Sequence, residues 1–193
     1  MRMILCALVL MVVALPVRAE DIAFDLGFAR PGMEQAQFRA HGWGVGQVIC
    51  SNDADHPHDV DFAMPKGVAR VGAVRCGLYA LDGADHWQPT PVTVAGWPGE
   101  VRALFLPDGA GIARLVQLKL TLPAAAFDDV ARAWDRLFGL PTLRRDQLVH
   151  WSNARNDATI VGDGGGGRVH AYVLDNDLHA STNRRLGQMP ARH

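Results

Sequence analysis

The residues with the clearest potential for chemistry form an acidic segment with two histidines, residues 53–61, which reads Asp-Ala-Asp-His-Pro-His-Asp-Val-Asp. Imidazole nitrogens and carboxylate oxygens are ligands that zinc and copper take from proteins. Asp55, His56 and His58 therefore predict a site for zinc or copper. The alternative is a solvated loop, because Pro57 and the surrounding acidic residues are also typical of a turn between two strands.

Few other residues are candidates for catalysis. The sequence contains neither the Gly-x-Ser-x-Gly motif nor the His-Glu-x-x-His motif, and none of its serines has a convincing context. His150 and His170 fall on two predicted strands that we expect to be neighbours, where they could meet on one face. The glycines at 164–167 join two strand-like segments and predict a turn rather than a phosphate-binding loop. The sequence thus predicts no catalytic residue.

The start of the chain has the three parts of a signal peptide. Met1-Arg2 is followed by an apolar run over residues 3–17, and Val17-Arg18-Ala19 places small residues at a cleavage site. A membrane anchor would need about 20 apolar residues, and Pro16 interrupts this shorter run. We expect a cleaved signal peptide over residues 1–19, a mature protein that begins at Glu20, and a periplasmic or secreted location.

The cysteines fit an exported protein. Cleavage removes Cys6 and leaves Cys50 and Cys76. In an oxidising compartment an isolated pair of cysteines is more often a structural disulfide than a reactive site. We therefore predict a Cys50–Cys76 disulfide, which closes a loop of about 27 residues and contributes roughly 3.6 kcal/mol in the chain-entropy model.

The charge and hydropathy of the mature chain limit its partners. Removal of Arg2 and Arg18 leaves 17 basic and 20 acidic residues, a formal charge of −3. No stripe of Lys and Arg indicates nucleic acid, and no later segment is long and apolar enough to predict stable membrane insertion. The length fits a single domain over residues 20–180, followed by a polar tail over residues 181–193.

Two segments have the features of helices. The first runs from Pro31 to about His41, with proline in its first turn and Gly42 after its end. The second covers residues 123–138, and Gly139 follows it. Its apolar residues follow helical spacing and predict one buried stripe: Phe127, Val130, Ala131, Trp134, Leu137 and Phe138.

Most of the remaining chain predicts strands. Within the predicted strand 112–122, apolar and polar residues alternate from Val116 to Leu122, which predicts one covered and one solvated face. A Pro-Asp-Gly turn at 107–109 joins this strand to residues 101–106 in a predicted hairpin. Further strands are predicted over residues 46–50, 68–78, 91–95, 147–151, 158–161 and 168–174. The predicted fold class is α+β, an antiparallel sheet with two helices packed on one face.

Both predicted helices end at a glycine and are followed by strands. If this reflects a true duplication, the domain consists of two similar α-β halves, residues 20–95 and 96–180. The alternative is that the similarity is accidental, since any α+β chain repeats such a pattern once or twice.

Short motifs flank the two helices: Asp25-Leu26-Gly27-Phe28 precedes the first, and Leu137-Phe138-Gly139-Leu140-Pro141 ends the second. In these motifs the chain resembles the small periplasmic α+β domains of the β-lactamase inhibitor proteins and of the small outer-membrane lipoprotein of the barrel-assembly machinery. The resemblance covers about half of the chain and implies binding to proteins rather than catalysis. The sequence departs from the pattern in lacking a lipobox and in having Phe28 where methionine is usual.

The expected function is that of an exported, non-catalytic binding domain with an unknown protein partner and no cofactor. Its predicted binding face is the open side of the sheet, around Lys119, His170 and Tyr172. The second hypothesis is a periplasmic metal-binding protein that uses the loop with His56 and His58. The third is a hydrolase whose site assembles only in the fold.

Overall fold

The computed structural model describes residues 23–44 and 46–188. The predicted signal peptide, its cleavage site and the end of the predicted tail lie outside the described residues. The helices are α1 Gln35–Ala40, α2 Lys66–Arg70, α3 Phe127–Phe138 and α4 Asn176–Gln188. The strands are β1 Gln47–Cys50, β2 Val74–Leu81, β3 Trp87–Pro89, β4 Val92–Val94, β5 Trp97–Pro107, β6 Ala113–Pro123, β7 Leu143–Arg145, β8 Leu148–Ser152, β9 Asn156–Gly162 and β10 Arg168–Asp175.

The described strands form one antiparallel sheet in the order β1-β2-β5-β6-β10-β9-β8-β7, with β3 added to β2 and β4 added to β5. The long hairpin of β5 and β6 lies near its centre. Its turn is held by the Asp108 carboxylate, which accepts hydrogen bonds from the backbone N–H groups of Ala110 (2.8 Å) and Ile112 (3.0 Å). The predicted α+β class and the predicted hairpin are both confirmed.

Helices α1 and α3 cover the same side of the sheet. Trp134 of α3 meets Trp151 of β8 edge-on with ring centroids 5.7 Å apart, and Phe38 of α1 meets Phe105 of β5 at 5.5 Å. All four side chains are buried in the main core. The prediction that Leu137 belongs to the buried stripe is wrong, because 48% of this residue is exposed at the outer edge of α3.

Helix α1 is shorter than the predicted helix from Pro31 to His41. The residues before it extend along β6 instead, where the Gly32 N–H donates to the Leu115 carbonyl (2.8 Å) and the Leu115 N–H donates to the Met33 carbonyl (2.7 Å). Backbone groups already paired with a strand are not free to begin a helical turn. The helix therefore starts only after Glu34, whose N–H donates to the Gln37 side chain at 3.2 Å.

A β-bulge interrupts the alternation that the sequence predicts for β6. The register steps from Leu104 opposite Gln117 to Phe105 opposite Leu115, so Val116 is an extra residue. Leu115 rather than Val116 belongs to the main core, whereas Val116 is buried outside it. The regular alternation expected through Val116 is therefore wrong at this residue and correct from Leu118 onward.

The structure differs from the prediction in two further segments. Residues 66–70, predicted to begin a strand at Val68, form α2, and the chain turns at Gly72 (φ +81°) before β2 starts at Val74. Residues 176–188 form α4, which includes the first part of the predicted polar tail. The Asp175 carboxylate accepts the Leu178 N–H (2.9 Å) at the start of this helix, and Thr182 within it is buried.

The predicted disulfide is present. Cys50 of β1 lies directly opposite Cys76 of β2, with Cα atoms 4.0 Å apart, and both side chains are buried in the main core. Over the ranges 23–44 and 46–188, none of the helices combines the length and the apolar character needed to cross a membrane. The similarity of the two halves stays a prediction.

Candidate binding face

We call the side of the sheet opposite α1 and α3 the polar face. Alternate residues of a strand point to the same side, so the pairing of β5, β6 and β10 aligns their outward side chains in rows. One central row consists of Arg102, Lys119 and Tyr172. The row beside it consists of Glu100, Thr121 and His170. The structure thus places Lys119, His170 and Tyr172, the three predicted binding residues, side by side on one face.

A trough of about 350 Å³ opens on the polar face. The charged side chains that line it come from β2, β5, β6, β10 and the segment between β1 and α2: Asp61, Arg75, Glu100, Arg102, Lys119 and Arg168. Four cations against two carboxylates leave two positive charges in excess. The trough is therefore cationic, although the whole chain carries a formal charge of −1.

One wall of the trough is the segment before α2, and two arginines hold it. The Arg102 Nη1 group donates to the Asp61 carbonyl at 3.0 Å. The Arg75 Nη1 group donates to the Ala63 carbonyl. Because the donors stand on β5 and β2, the sheet itself fixes the position of this wall.

Arg102 is the most firmly held cation of the trough. Its Nε group donates to the Glu100 carboxylate at 2.8 Å, and its guanidinium lies 5.4 Å from the centre of the Tyr79 ring. The buried Tyr79 ring in turn lies over Gly77, where a Cβ atom would come within 2.8 Å of the ring. Gly77 therefore leaves the space that lets Tyr79 support Arg102 from the β2 side.

The positive charges of Lys119 and Arg168 are less neutralised by nearby carboxylates than the charge of Arg102 is. Among the described residues neither forms an ion pair with a carboxylate. The Lys119 ammonium lies 5.8 Å from the centre of the Tyr172 ring, within cation–π distance. Lys119 is also directly opposite Arg102, and like charges at paired positions weaken strand pairing.

Desolvation and then the charge of Arg102 lower the pKa of Arg75 from its ordinary value.

His170 is part of this cationic surface. Its Nδ1 atom lies 3.3 Å from the Thr121 hydroxyl oxygen. Desolvation lowers its pKa below the ordinary value of 6.5, Lys119 and Arg168 lower it further, and Asp163 opposes them. The imidazole is therefore neutral near pH 7.

The prediction that His150 and His170 lie on adjacent strands is wrong, although the pairing places both residues on the same face of the sheet. His150 lies on β8, and β9 stands between that strand and β10. The His150 Nε2 atom lies 3.4 Å from the Asp157 carboxylate, on the neighbouring strand. The two histidines therefore share the polar face but stand two strands apart and have different partners.

The predicted metal residues Asp55, His56 and His58 lie exposed in the loop after β1. His56 has its Nδ1 atom 3.0 Å from the Asp53 carbonyl oxygen and its ring against Phe62, with centroids 5.6 Å apart. Within residues 23–44 and 46–188, no group of three or more His, Cys, Asp or Glu side chains is placed to hold a metal ion. Binding of zinc or copper by this loop stays a prediction.

Sequence reasoning missed the arginines of the trough: Arg75, Arg102 and Arg168. The alternation of residues 101–106 marks Arg102 as an outward residue, and that signal could have found it. No local signal links it to Arg75 and Arg168, because the strand order that brings β2, β5 and β10 together is a property of the whole sheet.

Comparisons with known protein families, with curated proteins and with solved structures find no significant match to this chain. The resemblance to the inhibitor proteins and the small outer-membrane lipoprotein stays a prediction.

Proposed function

We propose that the protein is an exported, non-catalytic binding domain that recognises a protein partner through the polar face. The observation that carries this proposal is the cluster of Lys119, His170 and Tyr172 beside the trough, on the sheet side opposite α1 and α3. Tyr172 offers a partly exposed aromatic ring beside the Lys119 ammonium, a combination typical of the residues that dominate protein interfaces.

The polar groups of the face support recognition rather than chemistry. The Glu100 carboxylate is bonded to Arg102 at 2.8 Å, and His170 contacts the Thr121 hydroxyl at 3.3 Å. Glu100 and Arg102 orient each other on β5, and Thr121 and His170 contact each other across β6 and β10. A preorganised polar surface of this kind binds with little loss of side-chain freedom. The buried Cys50–Cys76 disulfide supports export to an oxidising compartment.

The test is affinity capture from an extracytoplasmic extract of the source cells, with the oxidised protein immobilised and bound proteins identified by mass spectrometry. We expect one partner to bind the wild type and the control Arg136→Ala, since Arg136 is exposed on α3, away from the polar face. Tyr172→Ala should weaken that binding at least tenfold, in line with a loss of roughly 2 kcal/mol at an aromatic hot spot.

Two results would contradict this proposal. The first is a partner that binds equally well when Lys119, His170 and Tyr172 are each replaced by alanine. The second is fractionation of cells that finds the chain in the cytoplasm with residues 1–19 still attached.

A further inference from the structure

The trough holds positive charge that the described part of the protein does not neutralise. Of its four cations, Arg102 has Glu100 as a partner, whereas Lys119 and Arg168 form no ion pair with a described residue. Placing Lys119 opposite Arg102 costs stability in a sheet. A ligand of negative charge would remove that cost, so the charge distribution points to an anionic ligand.

The spacing of the cations indicates how the negative charge of the ligand is arranged. Lys119 of β6 is opposite Tyr172 of β10, and Arg168 is four residues from Tyr172 on the same strand. The Arg168 and Lys119 backbones are therefore about 14 Å apart. Arg75 is opposite Leu104, which is opposite Gln117, so its backbone is about 12 Å from that of Lys119. On an extended chain, side chains at positions i and i+4 point the same way and are about 13 Å apart.

We propose that the trough binds an extended acidic peptide segment of the partner protein. Carboxylates about four residues apart pair with Lys119 and Arg168, and a further one pairs with Arg75. A chain that joins Lys119 to Arg168 runs mainly along β6 and β10, because four residues of strand but only one strand spacing separate the two cations. This inference rests on the proposed function, because it names the chemistry of the partner segment that the polar face recognises.

The test uses isothermal titration calorimetry of the oxidised, full-length mature protein with acetyl-hexaglutamate amide. The matched control ligand is acetyl-hexaglutamine amide. We expect the acidic peptide alone to bind, with an affinity that falls about tenfold between 50 and 500 mM NaCl because salt screens partly exposed charges. Lys119→Gln and Arg168→Gln should each weaken it about fivefold.

The control variants carry the same changes elsewhere on the surface. Lys66→Gln alters the chain's other lysine, in α2, and Arg136→Gln alters an exposed arginine of α3. Neither residue lines the trough, so neither change should reduce the affinity. The salt series of the wild type needs no variant, and it decides the question if a substituted protein does not fold.

Three results would overturn the inference: equal binding of the two peptides, affinity for the acidic peptide that is insensitive to salt, or unchanged binding in the Lys119 and Arg168 variants. Phosphate or glutarate that binds as tightly as the acidic peptide would also overturn it, and would identify a site for a compact anion. If a captured partner is lost with Tyr172→Ala but retained when Lys119 and Arg168 are both changed to glutamine, the inference fails and the proposed function stands.

Discussion

The substitution Trp134→Ala tests whether α3 is held on the sheet as the structure shows. The Trp134 side chain is 1% exposed, and its ring lies 5.7 Å from that of Trp151 and 5.3 Å from that of Phe138. Removing the indole leaves a cavity bounded by both rings. Trp151 lies on β8, and Phe138 lies one turn further along α3. The surrounding residues therefore cannot close the cavity unless α3 moves.

The magnitude follows from the buried area. An aromatic side chain of this kind buries about 150–250 Å², which at about 25 cal/mol per Å² corresponds to roughly 4–6 kcal/mol. The methyl group that remains and partial relaxation reduce this value, and buried Trp→Ala changes in general cost about 3–5 kcal/mol. With an m-value of about 2 kcal/mol per M, the urea midpoint should fall by about 1.5–2.5 M.

Equilibrium unfolding in urea measures this loss, with far-UV circular dichroism as the signal because the substitution changes the tryptophan fluorescence itself. The matched control is Leu137→Ala on the same helix, where 48% of the residue is exposed. We expect the control to cost less than about 1 kcal/mol. If Trp134→Ala costs no more than Leu137→Ala, then α3 does not pack on the sheet and the polar face is not the open side.

Three further predictions concern the disulfide, a histidine and the N-terminus. Replacing Cys50 and Cys76 together with alanine should lower the free energy of unfolding by about 3–4 kcal/mol. Thiol labelling of the denatured, unreduced wild type should leave both cysteines unmodified, and labelling of both would contradict the bond. Because the pKa of His170 is lowered in the folded protein, the unfolded chain binds a proton first as the pH falls, so the wild type should lose stability below about pH 6.5 until the pH passes the folded pKa. In urea titrations, His170→Gln should lose less of its free energy of unfolding between pH 7.5 and 5 than the wild type does. Superimposable stability profiles of the two proteins would show that the histidine does not contribute. Mass spectrometry of the exported protein should find a chain that begins at Glu20, and an intact Met1 would rule out cleavage.

Local patterns were sufficient to predict elements with one buried and one exposed side, such as α3 and β6. The stripe with Val130 and Trp134 identified α3 because burial on one face imposes a helical period. The alternation of Leu118, Leu120 and Leu122 identified β6 for the corresponding reason in a strand. In both segments one side faces the core and the other faces solvent, so the sequence itself carries the period.

Elements that depend on distant contacts were not predictable in the same way. Helix α4 is mostly polar, and its sequence offers little apolar periodicity from which to recognise it. The bulge at Val116 adds one residue to β6, and the sequence shows it only as two consecutive apolar residues, Leu115 and Val116, which do not by themselves specify a shift of register. The candidate site shows the same limit, since Lys119 and Tyr172 were identifiable as outward residues but the arginines around them come together only in the finished sheet.

The Cys50–Cys76 bond constrains the loop that carries one wall of the trough. It ties together the two ends of residues 51–75, and this loop carries both the trough wall at Asp61 and Ala63 and the cation Arg75. In a chain with free thiols the pairing of β1 with β2, the two arginine contacts, the packing of Val60 on Ile49 and Tyr79, and the Asp59 carboxylate that accepts the Trp87 N–H would still hold the wall, but the covalent closure of the loop would be lost. A partner would then have to order this loop at an entropic cost. On the proposed function, oxidation would act as a maturation step, and we expect a reduced chain to bind its partner more weakly than the oxidised one.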